Sequence, residues 1–137
     1  MSEPVTPIVN ALNAPFWAAA QRGELVLPHC VDTGRAFWPP SPISPFAGGD
    51  VDWRAADPRG VVRALAVYRR PFQKAFEPLM PYGVALVELR GGPRLMAHVS
   101  DPDGDAPRVG DAVVIAFQAV LADAPPIPVA LKSGDSP

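Results

Sequence analysis

The chain has 137 residues, 48% of them hydrophobic and 19% charged, with a formal net charge of −2. That length suits one domain able to bury a core without staples, and the composition excludes a disordered chain and gives no help to a nucleic-acid role. Nineteen prolines and eleven glycines make up about a fifth of the chain against roughly 12% in average usage, which favours many short segments and turns over long helices.

Residues 1–12 are Pro-rich and weakly patterned, without the basic start and apolar core of a signal peptide. No stretch of about 18 apolar residues occurs anywhere, so the expectation is a soluble cytoplasmic protein without a membrane segment. Asn13 then offers a side-chain cap ahead of APFWAAAQR (14–22), with Pro15 tolerated in a first turn, and this short helix closes at Gly23. Phe16, Trp17 and Ala20 share a face that must dock, because a helix this short rarely holds alone. ELVLP (24–28) reads as a short strand.

The next stretch, HCVDTGRAFWPPSPISPFAGG (29–49), has the outline of a zinc ribbon with most of its thiolates missing. Cys30 is the single cysteine, which excludes an intrachain disulfide and a four-cysteine metal site within one chain. Five prolines between Pro39 and Pro58, with Gly48 and Gly49, argue for loop and extended chain with at most short strands.

From Arg59 the texture changes to short apolar runs separated by turn residues. VVRALAVY (61–68), YGVALVEL (82–89), PRLMAHV (93–99), DAVVIAFQ (111–118) and IPVAL (127–131) read as five strands, the second and third joined by a tight hairpin at Arg90-Gly91-Gly92. A flat sheet of this size leaves two exposed edges, so a small closed barrel of the OB type is expected. The organisation is therefore mainly β: an N-terminal segment with a short helix (1–28), a ribbon-like segment (29–58), a five-stranded barrel (59–131) and a disordered tail (132–137).

Three apparent motifs dissolve on inspection. Asp101, Asp103 and Asp105 alternate as in a calcium loop, but the required glycine and closing glutamate positions are Ala106 and Ala112, leaving a solvated turn. His29 and Cys30 are adjacent on an extended segment and point to opposite sides, so they form no nucleophile and base pair. His98 alternates with Met96 and Arg94 and reads as a sheet-surface or groove histidine. No GxGxxG, P-loop or GxSxG occurs.

The order of PFWAAAQRGEL (15–25), CVDTG (30–34), FWPPSPISP (37–45), the strand after RG (59–60), PYGVALVEL (81–89), GPRLM (92–96) and RVGDAVVIAF (108–117) resembles a family of acyl-CoA-associated proteins. The likeness covers roughly residues 14–131. It implies an N-terminal helix, a rubredoxin-like zinc ribbon and a C-terminal OB-fold barrel. It also implies an accessory subunit, not catalytic alone, assembled with a thiolase-like enzyme or a hot-dog-fold enoyl-CoA hydratase and helping to hold a CoA thioester.

In the usual ribbon two CxxC knuckles hold Zn²⁺ through four thiolates at about 2.3 Å. Here the first knuckle is Cys30-Val31-Asp32-Thr33 and the second Ser44-Pro45-Phe46-Ala47, so three of four ligands are absent and no structural zinc is expected. Phe37, Trp38, Phe46 and Trp53 are available to hold the shell by packing.

The connection YRRPFQKAFEPLMPY (68–82) is more apolar than a solvent loop needs to be. Arg69, Arg70 and Lys74 suit CoA phosphates, while Phe72, Phe76, Met80 and Tyr82 suit a pantetheine arm, an acyl chain or a docked subunit. Arg35 and Trp38, beside the emptied knuckle, are further candidates. The opposing reading is a loop folded over the barrel mouth with its aromatics in the core. Two other functions use the same residues: a stand-alone OB module for single-stranded nucleic acid, disfavoured by the net charge, and a self-associating structural protein, in the simplest case a homodimer.

Overall fold

A computed structural model describes residues 9–46, 48–70, 74–121 and 124–133, the side chains of 74–76 excepted. It comprises helix α1 (Ala14–Gln21), strands β1 (Val26–Cys30) and β2 (Val51–Ala55), and a barrel of β3 (Arg59–Tyr68), β4 (Tyr82–Leu89), β5 (Arg94–Ser100), β6 (Ala112–Gln118) and β7 (Ile127–Lys132). A short 3₁₀ helix, Lys74–Leu79, lies between β3 and β4.

The barrel closes in the order β3-β4-β5-β7-β6, with β6 returning to β3. Every contact is antiparallel except β5 with β7, which meet in parallel at His98 and Val129. This is the five-stranded OB arrangement. Closure leaves no free edge, which is why such short strands persist. Gly83, Ala85, Val87 and Leu89 of β4 point inward and are buried, facing Leu95, Ala97 and Val99 of β5. Val62, Val113, Ile115 and Ala130 complete the filling, each fully buried branched side chain contributing about 1.5–3 kcal/mol.

Two local devices bend β3 around the barrel. Its register against β4 shifts between Val62 and Ala64, a bulge that turns Arg63 out toward Glu88. Gly60 lets the strands approach: a Cβ there would stand 2.5 Å from the Glu88 carbonyl oxygen and 2.8 Å from Val87 Cγ1.

The ribbon is a two-stranded antiparallel hairpin, Val26 opposite Ala55 and Cys30 opposite Val51. The strand expected at 24–28 is thus displaced two residues toward the knuckle, and a strand forms at 51–55 inside a stretch read mainly as loop. Proline-rich sequence misleads here because the prolines all lie in the connection between the two strands or beyond it, apart from Pro28, which sits within β1.

Helix α1 joins the two parts. Phe16, 1% exposed, has its ring 4.6 Å from Trp38 of the ribbon and 5.7 Å from Phe117 of β6. Leu25 and Leu27 extend the same core, so ribbon and barrel share one apolar cluster. The expected Asn13 side-chain cap is not made. Instead Asn13 Oδ1 accepts the Asn10 N–H at 2.8 Å, and Asn10 Oδ1 accepts the Leu12 and Asn13 N–H groups, closing the turn before the helix. At the other end β7 reaches Lys132, two residues of the expected tail fall within the described chain, and residues 134–137 lie outside it.

Candidate functional site

Three surface features gather the candidate residues. The first is a groove of about 400 Å³ between the ribbon and the β4–β5 hairpin. Its ribbon wall carries Arg35, Trp38 and Phe46, and its hairpin wall Gly92, Pro93 and Arg94. The Arg35 guanidinium lies over the Phe46 ring at 3.9 Å, and among the described residues it has no ion pair. A smaller cleft of about 290 Å³ continues past Arg35 toward Asp57. The Arg35 cation over an aromatic floor, with Arg94 opposite and itself paired to Glu88 at 3.3 Å, suits an anionic group carried on a flat or apolar body. Trp38 has a double role, since it also packs on Phe16.

The knuckles keep the turn geometry of a metal ribbon. Gly34 N–H donates to the Cys30 carbonyl at 2.7 Å and Gly48 N–H to the Ser44 carbonyl at 2.9 Å, both glycines at positive φ (72° and 69°). Cys30 is fully buried, and hydrogen bonds from the side chains of Ser44 and Thr33 hold its thiol below the ordinary value. Among the described residues no three His, Cys, Asp or Glu side chains cluster to share an ion. His29 points away with its Nδ1–H donating to the Leu27 carbonyl at 2.8 Å, so it makes no pair with Cys30. Phe37 and Phe46, 6.1 Å apart edge to face, supply packing around the shell.

The third feature is the outer face of β3, β4 and β5, where three rings stack across the strands. Tyr68 lies 5.1 Å from Tyr82, and Tyr82 lies 5.6 Å from His98, both at 20°. Register explains the order, with Tyr68 opposite Tyr82 and His98 opposite Val84 one step along the same face. The stack buries its inner members: Tyr82 and His98 are each 8% exposed, while Tyr68 is 40% exposed. His98 is therefore no ordinary sheet-surface residue. Burial pushes its imidazole below the ordinary value and pushes the Tyr82 phenol up, Tyr68 adding to the latter. The Ser100 hydroxyl shares a 3.1 Å hydrogen bond with His98 Nε2. Beside the stack, Val84, Leu86 and the 66% exposed Met96 leave this face apolar.

The 68–82 residues divide on inspection. Arg69 is bidentate to Asp103 at 2.7 and 2.9 Å, so its charge is already matched. Arg70 is exposed with no ion pair among the described residues, Met80 is half-buried, and Tyr82 belongs to the ring stack. Phe72 lies outside the described residues, as do the side chains of Lys74 and Phe76. The acidic turn behaves as a turn: Asp103 serves Arg69, Asp105 serves Lys132 at 2.8 Å, and the carboxylates share no site. Pairing of Arg69 also weakens the only basic and aromatic cluster a single-stranded nucleic-acid reading had.

Comparison with known proteins supplies the family. Residues 17–50 match "ChsH2, rubredoxin-like zinc ribbon domain" and residues 53–118 match "ChsH2, C-terminal OB-fold domain". A DUF35 domain-containing scaffold protein of Methanothermobacter thermautotrophicus is 30% identical over 102 residues, which are 73% of this chain and 76% of that protein. The chain belongs to the ChsH2/DUF35 family. A probable enoyl-CoA hydratase alpha subunit of Thermomonospora curvata is 35% identical over 111 residues, 80% of this chain but 34% of that protein, so the DUF35 unit here spans about a third of that relative. A solved structure described as "Ltp2-ChsH2(DUF35) aldolase" superposes with a TM-score of 0.77 at 33% identity, covering 92% of this chain and 98% of that one. Among the described residues no helix is long and apolar enough to cross a membrane.

Proposed function

We propose that this DUF35 chain is a scaffold subunit that docks on an enzyme acting on CoA thioesters, of hydratase, thiolase-like or aldolase type, and completes the CoA-facing wall of that enzyme's site without chemistry of its own. The observation that carries the reading is the likeness to a chain of the structure described as "Ltp2-ChsH2(DUF35) aldolase", in which 92% of this protein is matched to 98% of that chain. The relatives named as a hydratase alpha subunit and as a scaffold protein support it.

Two surfaces divide the work. The groove at Arg35, Phe46 and Arg94 offers cations and an aromatic floor to the phosphates and adenine of a CoA ligand. The outer face around Tyr68, Met96 and Arg70 offers the aromatic, methionine and arginine composition of an interface core to the partner subunit.

Co-purification of the untagged protein from its native host, with identification of the partner, tests the reading. The expected partner is a CoA-thioester enzyme. With that complex in hand, Arg35→Glu should raise the apparent KM for the thioester, and Arg70→Glu with Lys74→Glu should weaken assembly. A partner with no CoA chemistry, or a complex indifferent to all three changes, overturns it.

A further inference from the structure

The zinc-ribbon description of residues 17–50 does not fit the donors this chain presents. Cys30 and Ser44 occupy equivalent places in the two knuckles, each four residues before a positive-φ glycine whose N–H returns to its carbonyl. Where a metal site would present thiolates to an ion, these two positions carry one buried thiol and one buried hydroxyl. Ser44, 3% exposed, and Thr33 are the side chains that hold the buried Cys30 thiol below its ordinary value. Each hydroxyl is also an acceptor for the backbone: Ser44 Oγ takes the Phe46 N–H at 3.1 Å and Thr33 Oγ1 takes the Arg35 N–H at 3.2 Å. With its oxygen engaged in that way, each hydroxyl has its one proton to give to sulfur. One thiol and two neutral alcohols are a poor set for a cation that wants four deprotonated or imidazole ligands.

We propose that the knuckles are closed by O–H···S hydrogen bonds centred on Cys30 in place of a metal ion, so that this ribbon folds and functions independently of zinc. The same bonds set the groove described above. Arg35 hangs from the Thr33 bond and Phe46 from the Ser44 bond, so the cluster fixes the distance between the cation and its aromatic floor. This inference concerns the ribbon itself and holds whether or not the proposed partner and ligand are right.

Elemental analysis of the full chain, expressed in zinc-supplemented medium and purified without chelator, should show zinc far below one per chain, with a Tm unchanged by a strong chelator. Zinc near one per chain that sets the Tm would overturn the proposal. The second experiment restores the lost ligands. Thr33→Cys, Ser44→Cys and Ala47→Cys together should confer the intense thiolate-to-cobalt absorption of a tetrahedral Co²⁺ site, absent from the wild type. If the wild type already gives that spectrum, or the restored protein fails to give it, the knuckles do not have the proposed geometry. A double-mutant cycle of Cys30→Ala and Ser44→Ala, read as Tm, should show each single change lowering Tm and the pair lowering it by less than the sum. Additive losses would mean that the two side chains do not act together.

Discussion

His98 shows how a residue's surroundings, more than its type, set its behaviour. On the outer face of β5 it lies under the Tyr82 ring, itself under Tyr68, with Ser100 bonded to Nε2. Burial lowers its folded-state value below the ordinary 6.5. The unfolded chain takes up the proton near that ordinary value and the folded chain only at lower pH, so His98 contributes fully above about pH 6.5 and stability falls as the pH drops through that point. Tm should decline as the pH falls below about 6.5, and His98→Gln should flatten this part of the profile. A wild-type curve already flat there would mean that the stack opens to admit the charge. At Gly60 the constraint is steric. A methyl group meets the Glu88 carbonyl and cannot be relieved by a side-chain rotation, so Gly60→Ala should cost about 1–3 kcal/mol in denaturant unfolding.

The helix and the 68–82 connection behave differently as elements. Helix α1 is eight residues long and buries Phe16, Ala19 and Ala20, with the large Phe16 ring wedged between Trp38 and Phe117. Phe16→Ala should therefore cost about 3–5 kcal/mol, measured by denaturant unfolding, and should loosen the ribbon from the barrel together with the helix. The 68–82 connection instead ends in rings packed on its own sheet and carries two arginines, of which Arg69 is matched and Arg70 has no ion pair among the described residues. Arg70→Glu should leave Tm nearly unchanged, since a lone exposed charge matters little to folding. Arg69→Glu in contrast places a carboxylate against Asp103 and should disturb the 101–105 turn, detectable as faster hydrogen exchange there. Equal exchange in both variants would show that the ion pair does not hold the turn.

For the whole molecule, the decisive arrangement is a closed barrel with no edge to offer, a ribbon fused to it through one core, and an apolar outer face left on β3–β5. The barrel of such a body meets partners with side chains and not by strand addition. The net charge of −2 and the internal pairing of Arg69 lead to the expectation that single-stranded oligonucleotides are not retained at near-physiological salt. Tight binding that falls steeply with added salt would restore the nucleic-acid reading.

The sequence by itself determined the first helix, the barrel strands and the family. All five barrel strands were legible within two residues of their ends, because apolar runs bounded by glycine and proline are local signals. The degenerate knuckle was legible too, since metal ligands are counted by residue type. Only the tertiary structure decided what these elements do to one another. Tyr68 meets Tyr82 and His98 through strand register, Arg69 meets Asp103 34 residues away, and Phe16 finds Trp38 and Phe117 on separate parts of the fold. The half-buried outer face of β4 is not legible for the same reason: YGVALVEL is apolar on both faces, and its spacing cannot say which face the barrel fills and which it leaves outside. Periodicity reports the faces of a strand, whereas closure of the barrel assigns inside and outside, and with them the residues left to meet a partner.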